Sequence, residues 1–225
     1  MLRIPISKAR ILVATSVMLL FHGTVYSQSE FTQRNQDNGS DELRSLGKRG
    51  EQISRARQQT LEILQSQNAC SAWFQESDPD AAEVFRSLHY ELDQRGTSHI
   101  VRLRTEFGVS HFKHPWGAMS DESAGRNSNI SLNAYGPFFV QQSRVTDSVG
   151  TIPATWHRLN VGFYDGDTNE ARVAILLHEL GHIIGRLPED NDSWDGRSSR
   201  NTMEVLQHCK SEIDRYGRKD ARIGN

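Results

Sequence analysis

Only two cysteines occur among the 225 residues, Cys70 and Cys209. A structural zinc site closed by several thiolates therefore has no ligands to draw on. No block of like charge is long enough to act as a binding tail. The net charge is −2 and the isoelectric point is near 6.5. That balance offers nothing to attract a nucleic acid or an anionic membrane surface. No apolar run approaches the roughly 20 residues that a spanning helix needs. Internal repeats are absent too. The apolar fraction of 36% is low for a globular chain, so part of the sequence is expected to contribute no core.

The chain starts with a basic segment, Arg3, Lys8 and Arg10, followed by the apolar stretch Ile11 to Phe21. His22, Gly23 and Thr24 end that stretch, and Val25-Tyr26-Ser27 offers a cleavage edge. The order is that of a secretory signal peptide over residues 1–27. The expected location is secreted or periplasmic, with no stable membrane insertion after cleavage. No cysteine follows the apolar run to carry a lipid. In an exported protein the even count of thiols suggests one disulfide. Such a bridge would close a loop of well over a hundred residues, which the chain-entropy argument values at about 4–5 kcal/mol. Residues 28–50 are polar and rich in Ser, Asn, Gln and Gly, and are expected to form a disordered mature N-terminus. The folded domain is then expected over 51–225.

Helical spacing begins with Ile53, Leu61 and Leu64, and the pattern predicts a helix to about Cys70. Asp78-Pro79 reads as the cap and first residue of a second helix, with Val84, Phe85, Leu88 and Leu92 as its stripe and Gly96 as its stop. Alternation predicts a strand over His99 to Glu106 and another over Ile130 to Asn133, before the Gly136-Pro137 break. Leu159 to Tyr164 is expected to be a further strand. The strongest helix follows. Asp167 is its expected cap and Glu170 completes a capping box. The run from Ala171 to Gly185 is apolar nearly all round, which marks a buried central helix. A polar loop then leads to a last helix from about Arg200 to Tyr216. The fold class expected from this order is α+β.

The central helix carries His178-Glu179-Leu180-Gly181-His182. Histidines four apart project from one helical face, which lets both imidazoles approach one zinc ion at about 2.0–2.1 Å. Glu179 is rotated off that axis. Its carboxylate is placed to take a proton from an attacking water and to return it to a leaving amine. The bland alternative is a pair of hydrogen-bonded core histidines. Burying two histidines and a glutamate without partners is costly, and a metal supplies the partner.

These residues resemble the zincin superfamily of zinc peptidases, whose active-site helix looks like Leu177 to Gly185. The resemblance implies a zincin-like fold, in which this helix packs under a small, mostly antiparallel sheet. An edge strand would bind extended substrate, and the segment Ile130 to Asn133 is the candidate for it. The stretch from about Ile130 to Cys209 is also similar to a group of secreted bacterial proteins. They share a strand with Gly-Pro-Phe-Phe, this helix and an Asn-Thr…His-Cys ending. That likeness implies a fold more than a substrate.

The metzincin branch does not fit, because Pro188 stands where its third histidine would be. Asp190 is the first choice for a third ligand, since a loop past Gly185 can fold back under the metal as in Asp-ligated zincins. Glu189 and Asp192 are near substitutes. Glu204, on the next helix, is the gluzincin-like option, and His208 lies one turn beyond it. An exposed loop acid and a solvated helix face are the plainer readings of these residues.

Smaller features remain. Tyr164 or His157 could donate a hydrogen bond to an oxyanion. His111 and His114 form a weak adventitious metal pair. Asn129-Ile130-Ser131 and Asn191-Asp192-Ser193 are glycosylation sequons, relevant only to a eukaryotic secretory route. The expectation is a secreted zinc peptidase with His178, His182 and Asp190 as ligands, Glu179 as base, and a peptide or protein as substrate. The alternatives are a catalytically silent zincin-fold binding protein, a purely structural zinc site, and a hydrolase of another amide bond.

Overall fold

A first helix, α1 (Lys48–Gln65), lays Ile53, Ala56, Ile63 and Leu64 into the core. The computed structural model describes residues 43–105, 108–147, 155–190 and 196–223. The apolar run near the start and the polar stretch up to residue 42 lie outside them, as do Asn191, Asp192 and Ser193. The position after Gly50, where the folded domain is expected to begin, falls inside α1. Residues 43–45 form a helical turn, Leu43 is buried, and Leu46 packs against the same core. Averaging composition over a polar stretch concealed these two leucines.

The first helix also stops earlier than its spacing suggests. Ser66 is extended, and Asn68 caps a separate helix, α2 (Ala69–Gln75). Asn68 Oδ1 accepts from the Ser71 amide while Ser71 Oγ accepts from the Asn68 amide. The Asn68 side-chain amide also donates to the Ile63 carbonyl. One side chain thus ends α1 and starts α2, the local competition with helix that Asn and Ser favour.

The helix expected from Asp78 to Gly96 is the six-residue α3 (Ala81–Arg86), followed by strand β1 (His89–Asp93). Asp78 does not cap the helix; its carboxylate accepts from the Asp80 amide in a turn, and Asp80 is the N-cap residue. Leu92 fits a strand period as well as a helical one, and pairing of β1 with a neighbouring strand decides it, while Leu88 precedes that strand. The chain continues through β2 (Ser98–Thr105), β3 (Gly108–Pro115), β4 (Ala118–Ser120), β5 (Asn129–Asn133), β6 (Gln142–Asp147), β7 (Thr155–Arg158), β8 (Asn160–Val161) and β9 (Tyr164–Asp165). Where one strand was expected over Leu159 to Tyr164, β8 and β9 form a tight antiparallel pair.

Three sheets result among the described residues. The first has the order β1-β5-β4, with β1 and β5 parallel and β4 and β5 antiparallel. The second, β2-β3-β6-β7, is antiparallel throughout. β5 is therefore a central strand and not the edge strand expected at Ile130 to Asn133; Ile130 and Leu132 are fully buried. The edges of that sheet are β1 and β4.

Helix α4 (Asn169–Ile183) packs against α1 and β4, and every residue from Ala171 to Ile183 is buried. The long α5 (Arg197–Ile223) packs along it. Phe74, Phe85, Phe138, Leu176, Leu177 and Leu180 are among the fully buried side chains of the common core. Cys70 on α2 and Cys209 on α5 form a disulfide across 139 positions. No helix among the described residues is long and apolar enough to cross a membrane. The fold is mixed α and β, with small sheets beside helices.

Candidate metal centre

The cap of α4 is Thr168, whose Oγ1 accepts from the Ala171 amide. Asp167, the expected cap, sits at a φ of 61° and gives its carboxylate to Arg172. Arg172 is the one arginine or lysine in the buried length of the helix. It also donates to the Phe138 carbonyl at 2.9 Å, so its charge is fully engaged. This anchoring sets the rotation of α4, and with it the direction in which the next turns project.

His178 and His182 project together. Their rings meet edge to face with centroids 4.7 Å apart, and their Nε2 atoms are 2.9 Å apart. The chain then turns back. Gly185, at a φ of +68°, supplies the left-handed residue that ends the helix. Leu187 folds against Gly181 and its amide donates to the Gly181 carbonyl at 3.0 Å. A Cβ on Gly181 would lie 2.5 Å from Leu187 Cδ1, so the small residue of the motif is what lets the loop return. Asp190 arrives beside both histidines. Its Oδ2 is 3.0 Å from His178 Nε2 and its Oδ1 is 3.5 Å from His182 Nε2.

His178, His182 and Asp190 thus offer three ligand atoms within 4.8 Å of one another. Donors about 2.0–2.1 Å from a tetrahedral zinc ion stand roughly 3.3 Å apart. The Nε2–Nε2 separation of 2.9 Å and the His178 Nε2–Asp190 Oδ2 separation of 3.0 Å lie near that value, and the other carboxylate oxygen, Oδ1, stands 3.5 Å from His182 Nε2. Two imidazoles and one carboxylate are also the nitrogen and oxygen donors that a zinc site with an open position uses. The residues present fit such an ion.

The electrostatics of the cluster are those of a tight charged group. Burial would raise the Asp190 carboxyl, but the hydrogen bonds from His178 and His182 outweigh it and hold the group far below the usual carboxylate range. Burial would lower His182, yet the Asp190 hydrogen bond and the Glu179 charge prevail and raise it. Burial pushes Glu179 up, partly offset by the two histidines and by Ser120. Ser120, on edge strand β4, donates from Oγ to Glu179 Oε2 at 2.8 Å. Glu179 lies beside the cluster, not in it.

Neither a scan against family models nor searches of curated proteins and of solved structures return a match. The remaining residues named from the sequence fall elsewhere. Glu204 and Glu189 are exposed. His208 stacks on Trp73 with centroids 4.9 Å apart. Asp192 is outside the described residues. Tyr164 donates to Asp214 at 2.8 Å, and His157 bonds Thr155. Neither is thereby turned to the cluster. His114 meets the ring of His157 instead, with centroids 6.2 Å apart.

Sequence reasoning missed four side chains around the cluster. Besides Ser120, Thr202 Oγ1 lies 3.0 Å from His178 Nδ1. Asn201 donates to Asp190 Oδ1 at 2.6 Å and to the Pro188 carbonyl at 2.8 Å. The Ser198 side chain also bonds Asp190. The Asn-Thr pair was visible as part of the C-terminal pattern, but nothing in its spacing tied it to the histidines.

Proposed function

We propose that this chain is an exported zinc-dependent peptidase of the zincin kind, with His178, His182 and Asp190 as metal ligands and Glu179 as general base. One observation carries the reading: three ligand atoms of suitable chemistry converge beside a buried carboxylate that is not among them. When bound, zinc would lower the pKa of a water and polarise the scissile carbonyl. The chain's own residues supply the rest. Glu179 takes the proton of the attacking water at its carboxylate and returns it to the departing amine nitrogen. Its raised pKa suits a group that must hold a proton between those two events. Ser120 fixes the orientation of that carboxylate.

An extended peptide would be positioned along β4, the sheet edge that carries Ser120. Strand addition supplies main-chain hydrogen bonds without demanding a particular sequence. That role, implied for the segment Ile130 to Asn133 by the resemblance, passes to β4 because β5 has a neighbour on each side.

The test is metal content together with turnover of a peptide library. The native protein should bind about one zinc and lose hydrolysis to a chelator. Glu179→Gln should keep the metal and abolish cleavage. Full activity in that variant would remove Glu179 from the mechanism. Zinc uptake with no cleavage by the native chain would instead favour a silent binding protein.

A further inference from the structure

The geometry points to Asn201 and Thr202, adjacent residues in the first turns of α5, as the positioning pair that orients two of the three ligands. This deepens the zinc reading above and rests on it. The two side chains reach different ligands. Thr202 Oγ1 is 3.0 Å from His178 Nδ1. Ligation through Nε2 requires the proton on Nδ1, so Nδ1–H donates to the Thr202 hydroxyl and the tautomer is fixed. Asn201, 3% exposed, donates to Asp190 Oδ1 at 2.6 Å. Its bond to the Pro188 carbonyl holds the returning loop at the same time. With Asn201 on Oδ1, the carboxylate is held with Oδ2 at 3.0 Å from His178 Nε2.

Threonine suits its position for a second reason. Its Cγ2 lies 3.5 Å from where a Cβ on Gly162 would stand, in the β8–β9 turn. The methyl packs toward that turn while the hydroxyl faces His178. Threonine's restricted χ1 locks the two together. The ligands sit on α4 and its following loop, while their orientation is dictated by a different helix.

The experiment measures zinc affinity by competition with a coloured chelator on the full chain. Thr202→Val and Asn201→Ala should each bind zinc about 10–100-fold more weakly, the usual effect of losing an outer partner. Thr202→Ser restores the hydroxyl without the methyl and should recover most of the affinity, which a merely structural role would not do. The melting temperature of the metal-free protein should change little in the two Thr202 variants. Should Asn201→Ala not fold, Asn201→Asp removes the donor while keeping the shape, and the same loss is expected. Native affinity in Thr202→Val, or an equal loss in Thr202→Ser, overturns the role of Thr202. Native affinity in the Asn201 variant overturns that of Asn201. A native chain that takes up no zinc overturns the peptidase reading and this inference together.

Discussion

At the scale of single residues, Asp190 separates the options left open by spacing. Asp190→Ala should lose most bound zinc, because it removes one of three ligands and leaves a buried histidine pair without its counter-charge. Glu204→Ala should keep it, since that carboxylate is exposed on α5. Metal content by atomic absorption checks both. The pH response of the metal-free protein follows from His182, whose pKa is raised above that of an ordinary histidine by the Asp190 hydrogen bond and the Glu179 charge, against burial. A group raised on folding contributes stability that is fully present below its unfolded pKa and is lost as pH rises through its folded value. The melting temperature of chelator-treated protein should therefore fall as pH is raised above about 6.5. Zinc needs the neutral ring, so the zinc-induced gain in melting temperature should grow over the same interval. A flat profile in metal-free protein would contradict the raised His182.

At the scale of elements, the central helix was legible because burial all round leaves an unmistakable apolar run, and a helical turn fixes His178 against His182. The return of Asp190 was legible only as one option among several. What decides it is the close contact of Gly181 with Leu187 and the left-handed Gly185, neither of which has a periodic signature. Gly181→Val should push Leu187 outward, displace Asp190 and weaken zinc binding by an order of magnitude or more, read by chelator competition. The helix breaks at Asn68 and after Arg86 were not legible. At Asn68, side-chain hydrogen bonds override a continuing apolar spacing. At Leu92, a pattern compatible with either period is resolved by parallel pairing of β1 with β5. β5 was recognised as a strand but not as a central one, because neighbours in a sheet are set by the whole chain. Asn68→Ala should cost about 1 kcal/mol, measured by denaturant unfolding, through loss of the cap.

At the scale of the molecule, the disulfide joins α2 to the same helix that bears Asn201 and Thr202. Cys209 lies seven positions beyond Thr202, two turns along one rigid rod. Replacing both cysteines by serine should lower stability by about 2–5 kcal/mol in denaturant unfolding. If α5 orients the ligands as proposed, the same change should also reduce zinc affinity; unchanged affinity would mean that packing alone holds α5 in place. If the chain is the exported zinc peptidase proposed above, the bridge would act as a checkpoint on where it works. With the thiols apart the metal would be held loosely, and oxidation after export would lock the last helix down.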